Sequence, residues 1–190
     1  MGRSKAALPF GNSTILDRLI AELAPAFAEL IVVAAPPEVE SHPVGEILAR
    51  WRNRITLIRD REAFAGPAPA LVRGLRAAHH STGFACSCDL PLLRAKVAQA
   101  LCDMVGGFDA AIPAIAGQSQ PICAAYRRGS ADLIETIAKE GESRLTAITA
   151  RLKVRLVAEA ELRPIDPDLR SFLNVNTRAD YARALTLAGF

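Results

Sequence analysis

A chain of 190 residues is the size of one ordinary domain and long enough to bury a sizeable core. With 51% hydrophobic and 23% charged residues it is no disordered tail, and a formal charge of +3 spread along the chain does not mark a nucleic-acid binder. Aromatic residues at 5% are too few for a base-stacking platform, and no apolar run reaches the ~18 residues of a membrane helix.

The elements follow in chain order. Thr14 and Asp17 have the spacing of a capping box, and behind them Leu16, Leu19, Ile20, Leu23, Phe27 and Leu30 repeat along one helical face. Pro25 predicts a kink or an early end to that helix. Residues 30–34 form an unbroken apolar run, the mark of a strand covered on both faces, and Pro36-Pro37 stops it. A helix is expected over 47–52 and a strand over 55–58 that ends at Arg59-Asp60. A Gly66-Pro67-Ala68-Pro69 loop then leads to a helix over 70–80. Residues 84–88 read as a second buried strand, broken by Asp89-Leu90-Pro91 before a helix over 92–104. Strands are expected at 109–114, 122–126 and 154–157, with helices at 131–139, 143–150 and 177–187, the last capped by Asn176 or Thr177. Strands alternating with helices predict a single domain over 1–190: an α/β protein, a three-layer α/β/α sandwich around a Rossmann-like, mostly parallel sheet.

Such sheets bind ligands beyond the carboxyl ends of their strands. Asp60 and Asp89 fall there. Asp89 stands between an apolar strand and a proline, so it either caps the next helix or offers a hard oxygen to magnesium. Asp60 taken alone reads as a solvated loop residue. Gly2-Arg3-Ser4-Lys5 is either a phosphate grip or a solvated basic terminus. His79-His80 suits a helix end or an exposed role better than a metal. Cys86, Cys88, Cys102 and Cys123 form no C-x-x-C pair and read as reduced core thiols of a cytoplasmic protein. No Walker loop, G-x-G-x-x-G or G-x-S-x-G is present, and no nucleophile stands out. In Asn174-Val175-Asn176-Thr177, capping accounts for Asn176 or Thr177 and leaves Asn174 over.

Taken together, residues 1–11 (MGRSKAALPFG), Gly66-Pro67, Cys88-Asp89-Leu90-Pro91, Gln120-Pro121 and Asn174-Val175-Asn176-Thr177 resemble the molybdenum cofactor guanylyltransferases, within the sugar-nucleotide-type nucleotidyltransferases. The resemblance runs from the first residue to the last helix. It implies Mg²⁺-dependent transfer of GMP from GTP to the terminal phosphate of molybdenum-bearing molybdopterin, with release of pyrophosphate. It further implies that Lys5 and Asp89 are catalytic, and that Gly2, Arg3, Lys5, Asp60, Gly66, Pro67 and Asp89 line the nucleotide. Asp89 and Asn176 would hold the metal, and Asn174 and Asn176 would border the pterin phosphate. Expected partners are GTP, molybdopterin and, transiently, molybdoenzymes or cofactor-insertion proteins. Neither nucleic acid nor membrane is among them, and the chain is expected to be a monomer or a weak oligomer.

The family pattern L-A-G-G-x-S-x-R-M-G is met here only from its Met onward. A misassigned start or a truncated gene is therefore expected, with an interior strand wanting and two unpaired sheet edges in its place. Ala34-Ala35-Pro36 stands where the family has an Asn, and Ala70 where it has a second glycine. The competing readings are a related enzyme, such as the cytidylyltransferase acting on the same pterin, and a catalytically inactive truncated domain used in binding or assembly. Glu140-Gly141-Glu142-Ser143-Arg144 favours the guanylyl branch.

Overall fold

The computed structural model describes residues 5–39, 44–60, 66–142 and 144–190. A short hairpin, β1 (Pro9–Phe10) and β2 (Ser13–Thr14), leads into helix α1 (Ile15–Leu23). Then come β3 (Ile31–Ala34), α2 (Val44–Arg50), β4 (Thr56–Arg59), α3 (Pro67–Ala77), β5 (Thr82–Cys86) and α4 (Ala95–Asp103). The second half contributes β6 (Ala110–Ile115), β7 (Gln118–Ser119), β8 (Cys123–Arg127), α5 (Ala131–Lys139), α6 (Leu145–Thr149), β9 (Val154–Ala158), α7 (Glu159–Leu162) and α8 (Arg178–Ala188).

Alternation along the strands builds the three layers. Ala111 of β6 and Cys123 and Ala125 of β8 face one core, shared with α1, α4 and α8. Their neighbours Ala110, Ile112, Ala124 and Tyr126 face the other, shared with α3, α5 and α6. A third, smaller cluster seats Ala6 and the far side of α1, Leu16 and Ile20, against α2. β9 pairs parallel with β6, while β8 lies antiparallel between β5 and β6, so β5, β6 and β9 share one direction. β3 and β4 pair parallel with each other.

The sheet is divided. Among the described residues, β3 and β4 form one sheet and β5, β8, β6, β7 and β9 another, so β3 and β5 each keep one unpaired edge. Glu29 ahead of β3 accepts a hydrogen bond from the backbone N–H of His79 ahead of β5 (3.0 Å) and lies 2.7 Å from His79 Nδ1. At the other end, Ala34 of β3 and Cys88 beyond β5 pack on the same small cluster. Starts lie near starts and ends near ends, so β3 runs the same way as β5. The mostly parallel expectation therefore holds, with β7 and β8 the antiparallel members of the main sheet.

Burial on both faces does not hold for the two expected strands at the division. Every residue of β3 and of β5 is only half-buried, whereas the first four residues of β6 and of β8 are buried. The open edges leave these apolar strands partly accessible to water. The expected loop at 66–69 is also corrected. Gly66 is the N-cap of α3 at φ 85°, and Pro67 and Pro69 lie in its first turn, where a missing N–H costs nothing.

The expected capping box is present. Thr14 Oγ1 accepts from Asp17 N (3.2 Å), and Asp17 Oδ2 accepts from Thr14 N (3.2 Å). Asp17 also accepts from Arg50 Nη2 (2.7 Å) and Trp51 Nε1 (2.9 Å), which ties α1 to the end of α2. α1 stops at Leu23, ahead of Pro25. At the far end, Thr177 caps α8 with Asp180 as its partner. The C-terminus folds back on the hairpin: Tyr181 Oη donates to Pro9 O, and Phe10 meets the Phe190 ring edge-on at 5.6 Å. Gly11 turns the hairpin at φ +61°, and a Cβ there would strike Phe190. Among the described residues, no helix is long and apolar enough to cross a membrane.

Two measurements test this fold. Burial alone would raise the Asp17 carboxyl pKa, but hydrogen bonds from Thr14, Trp51 and Arg50 outweigh it and hold the pKa below the ordinary value. Asp17→Asn should therefore destabilise the chain at neutral pH by about 2 kcal/mol in denaturant titration. The deficit should shrink as acid protonates the native Asp17, because a depressed carboxylate stabilises only above its folded pKa. In native-state hydrogen exchange, the unpaired amides of β3 and β5 should exchange well before those of β6 and β8.

Candidate active site

The carboxyl end of β5 gathers residues from three distant parts of the chain. Lys5, in the first described turn, donates from Nζ to Asp89 Oδ2 at 3.0 Å and to Asn176 Oδ1 at 2.5 Å. Ser87 Oγ donates to the other oxygen, Asp89 Oδ1. Val175 N donates to the Asp89 carbonyl at 2.9 Å, which fixes the Asn174–Thr177 segment against the end of β5. The Asp89 side chain is 17% exposed and that of Lys5 34%, so the cluster lies at the surface yet is partly shielded from water.

The two readings of Asp89 are separated by where its carboxylate points. Helix α4 begins at Ala95 with Arg94 as N-cap, and both Asp89 oxygens are engaged by Lys5 and Ser87. Asp89 is not a helix cap. Asn176 is likewise free of capping: Thr177 does that work, and the Asn176 amide oxygen goes to Lys5. Asn174 lies in the same short segment, one residue before the bonded Val175 N–H.

Asp60 lies one residue past β4, with its N–H donating to Ala34 O (2.8 Å). It is not a solvated loop residue. Arg73 Nε of α3 is 3.1 Å from Oδ1, yet the geometry makes no hydrogen bond and Oδ1 is buried without one among the described residues. Burial pushes the Asp60 carboxyl above its ordinary value, with Arg73 pulling the other way. A carboxylate held at a net cost beside a strand end is the kind of group that functional sites retain. Gly66 and Pro67 open α3. Lys5, Asp89 and Asn176 are in direct contact, while Asp60 lies just past β4 and Gly66 and Pro67 begin α3. Gly2 and Arg3 lie outside the described residues.

The site's chemistry is set by its oxygen donors and its ammonium. Asp89 Oδ2 and Asn176 Oδ1 already converge on one cation, the Lys5 ammonium. A carboxylate and an amide oxygen completed by phosphate oxygens are donors of the kind Mg²⁺ takes, so the residues present fit that ion. Among the described residues no group of three or more His, Cys, Asp or Glu could hold a metal, so protein ligands alone form no closed metal cage. The nearby thiols are inert. Burial pushes Cys86 up to about 12 and also raises Cys88 and Cys123, all of them free thiols.

An open cleft of about 950 Å³ lies elsewhere, between the hairpin, α1 and Trp51. Its charged groups are spent on structure: Asp17 on Thr14, Arg50 and Trp51, Arg18 on Pro91 O, and Glu22 on the N–H of Ala95.

Residues 1–156 match the MobA-like NTP transferase domain. The chain belongs to that family. A protein of Methanosarcina acetivorans named "Probable molybdenum cofactor guanylyltransferase" is 32% identical over 181 residues, which cover 93% of this chain and 80% of that one. A molybdenum cofactor guanylyltransferase of Desulfosudis oleivorans is 28% identical over 187 residues, covering 96% and 86%. In fold, the chain superposes on the crystal structure of molybdopterin-guanine dinucleotide biosynthesis protein A from Archaeoglobus fulgidus. The TM-score is 0.82 at 23% identity, over 99% of this chain and 92% of that one. As a MobA-like NTP transferase the chain is a nucleotidyltransferase. Sequence reasoning missed Ser87: a lone serine in C-S-C carries no motif, and its contact with Asp89 is made by the turn that follows β5.

The cost carried by Asp60 is measurable. A carboxylate whose folded pKa is raised opposes folding while charged, and that opposition is relieved as acid protonates it. Asp60→Asn should therefore raise the melting temperature at neutral pH. The gain should fade on acidification into the carboxylate range, and thermal scans across pH would read both.

Proposed function

We propose that this chain transfers GMP from GTP to the terminal phosphate of molybdenum-bearing molybdopterin. The observation that carries the reading is the convergence of Lys5, Asp89 and Asn176 at the carboxyl end of β5. The naming of the relatives supplies the substrates. A phosphate oxygen of the acceptor attacks the α-phosphorus of GTP in line, the bond from that phosphorus to the bridging oxygen breaks, and pyrophosphate leaves. No covalent enzyme intermediate is needed.

Lys5 moves its ammonium from Asp89 and Asn176 to the nucleotide phosphates and offsets negative charge building on the α-phosphate and the leaving pyrophosphate. Asp89 and Asn176 would hold Mg²⁺, whose chemistry when bound is to neutralise and orient the phosphates. Asp60, Gly66 and Pro67 belong to the nucleotide-binding side, as do Gly2 and Arg3, which lie outside the described residues. Asn174 and Asn176 border the acceptor phosphate, and finished cofactor passes onward to molybdoenzymes or insertion proteins. Four cysteines without disulfides suit a cytoplasmic setting for this chemistry.

Calorimetric titration of the full chain with GTP, CTP and ATP, with and without Mg²⁺, tests the reading. GTP should bind in preference, and only well with Mg²⁺; equal binding of CTP would move the assignment to the cytidylyl branch. Lys5→Ala should lower turnover by about 10²–10³-fold, the size of loss expected on removal of one charge-stabilising donor. Asp89→Ala should abolish Mg²⁺-dependent turnover while the fold survives, because the Lys5 ammonium it leaves behind can turn to water.

A further inference from the structure

Ser87 has no part in the proposed transfer, yet its hydroxyl is spent on the carboxylate at the centre of the cluster. The backbone there is well held. Ser87 N donates to Ile122 O at 3.1 Å, which extends the β5–β8 ladder one residue past the end of the strand. Cys86 and Cys88 pack against the core, while Ser87 lies just past the strand and Asp89 in the turn that follows, which brings the two side chains into contact. The serine Oγ donates to Asp89 Oδ1, and Lys5 holds Oδ2.

This division of labour has a consequence for a cation. A carboxylate rotates freely about its last bond unless its two oxygens are made unequal. Ser87 makes them unequal. With Oδ1 tied to the serine, Oδ2 is the oxygen that faces Asn176 Oδ1 across the Lys5 ammonium. The lone pairs directed to the shared cation position are therefore fixed before any nucleotide arrives.

We infer that Ser87 is a positioning residue for the divalent cation. Its hydroxyl sets the orientation of Asp89, and through it the affinity of the site for Mg²⁺. The inference rests on the proposed metal–nucleotide reading of the cluster. Partners that orient metal ligands in this way change metal affinity by about 10–100-fold when removed.

Mn²⁺ serves as the probe, because water-proton relaxation enhancement distinguishes Mn²⁺ held by protein with GTP from Mn²⁺ on free GTP. The full chain is compared with Ser87→Ala, Ser87→Thr, Ser87→Val and Asp89→Ala. Threonine and valine have the same shape and differ by the hydroxyl alone, so that pair isolates the hydrogen bond even if alanine disturbs the fold. Asp89→Ala should lose protein-held Mn²⁺. Ser87→Ala and Ser87→Val should weaken it by about tenfold, and Ser87→Thr should hold it within about twofold of the parent chain. The Mg²⁺ concentration for half-maximal turnover should rise in step for alanine and valine and not for threonine. Equal Mn²⁺ affinity in the valine and threonine variants, with Asp89→Ala still defective, would overturn the role of Ser87 and leave the metal reading standing. A parent chain that holds no Mn²⁺ with GTP would overturn both.

Discussion

Asp89 is the point on which the arrangement of this molecule turns. Its two carboxylate oxygens and its carbonyl draw together Lys5 from the start of the chain, Ser87 from the end of β5, and Val175 from the segment before α8. The pairs Lys5–Asp89 and Lys5–Asn176 are 84 and 171 residues apart, so the cluster exists only when both ends of the chain have been brought home. A partly shielded ion pair contributes modestly to stability. Its value here lies in geometry, because it sets two oxygen donors and an ammonium around one point.

Apolar packing, rather than the ion pair, brings the ends home. The hairpin and α8 meet through Phe10, Tyr181 and Phe190, with Gly11 leaving room for the last ring. Edge-to-face contacts of this kind align two elements as well as burying them. Asp17 performs a similar service on the other side of α1, where one carboxylate satisfies the helix start and also receives Arg50 and Trp51 from the end of α2. The division of the sheet leaves β3 and β5 half-buried beside this frame. There, apolar strands are covered by helices but lack a hydrogen-bonded neighbour on one side. The Glu29–His79 contact at one end and the small core around Ala6 at the other span the division.

Local chemistry made much of this legible in the residues themselves. The Thr14–Asp17 spacing announced a capping box, and Pro25 announced the end of α1, because both signals act within one helical turn. Alternation of apolar runs with helical stripes was enough for the three-layer class. Gly66-Pro67-Ala68-Pro69 misled for an equally local reason: prolines that punctuate a loop are also tolerated in a first helical turn, and the choice depends on whether the next residues continue the helix. Asp60 misled because burial is a property of neighbours, and Arg73 and α3 arrive from the next element.

The sequence by itself determined the class of the fold through the alternation of apolar runs with helical stripes, and its resemblance to the molybdenum cofactor guanylyltransferases singled out the candidates Lys5, Asp60, Asp89, Asn174 and Asn176. Only the tertiary structure decided which of these meet. It joined Lys5, Asp89 and Asn176, added Ser87, buried Asp60 beside Arg73, and, among the described residues, left β3 and β5 without a shared ladder. The reason is physical: hydrogen bonds and ion pairs act over a few ångströms, and only folding makes residues that are far apart in the chain neighbours in space.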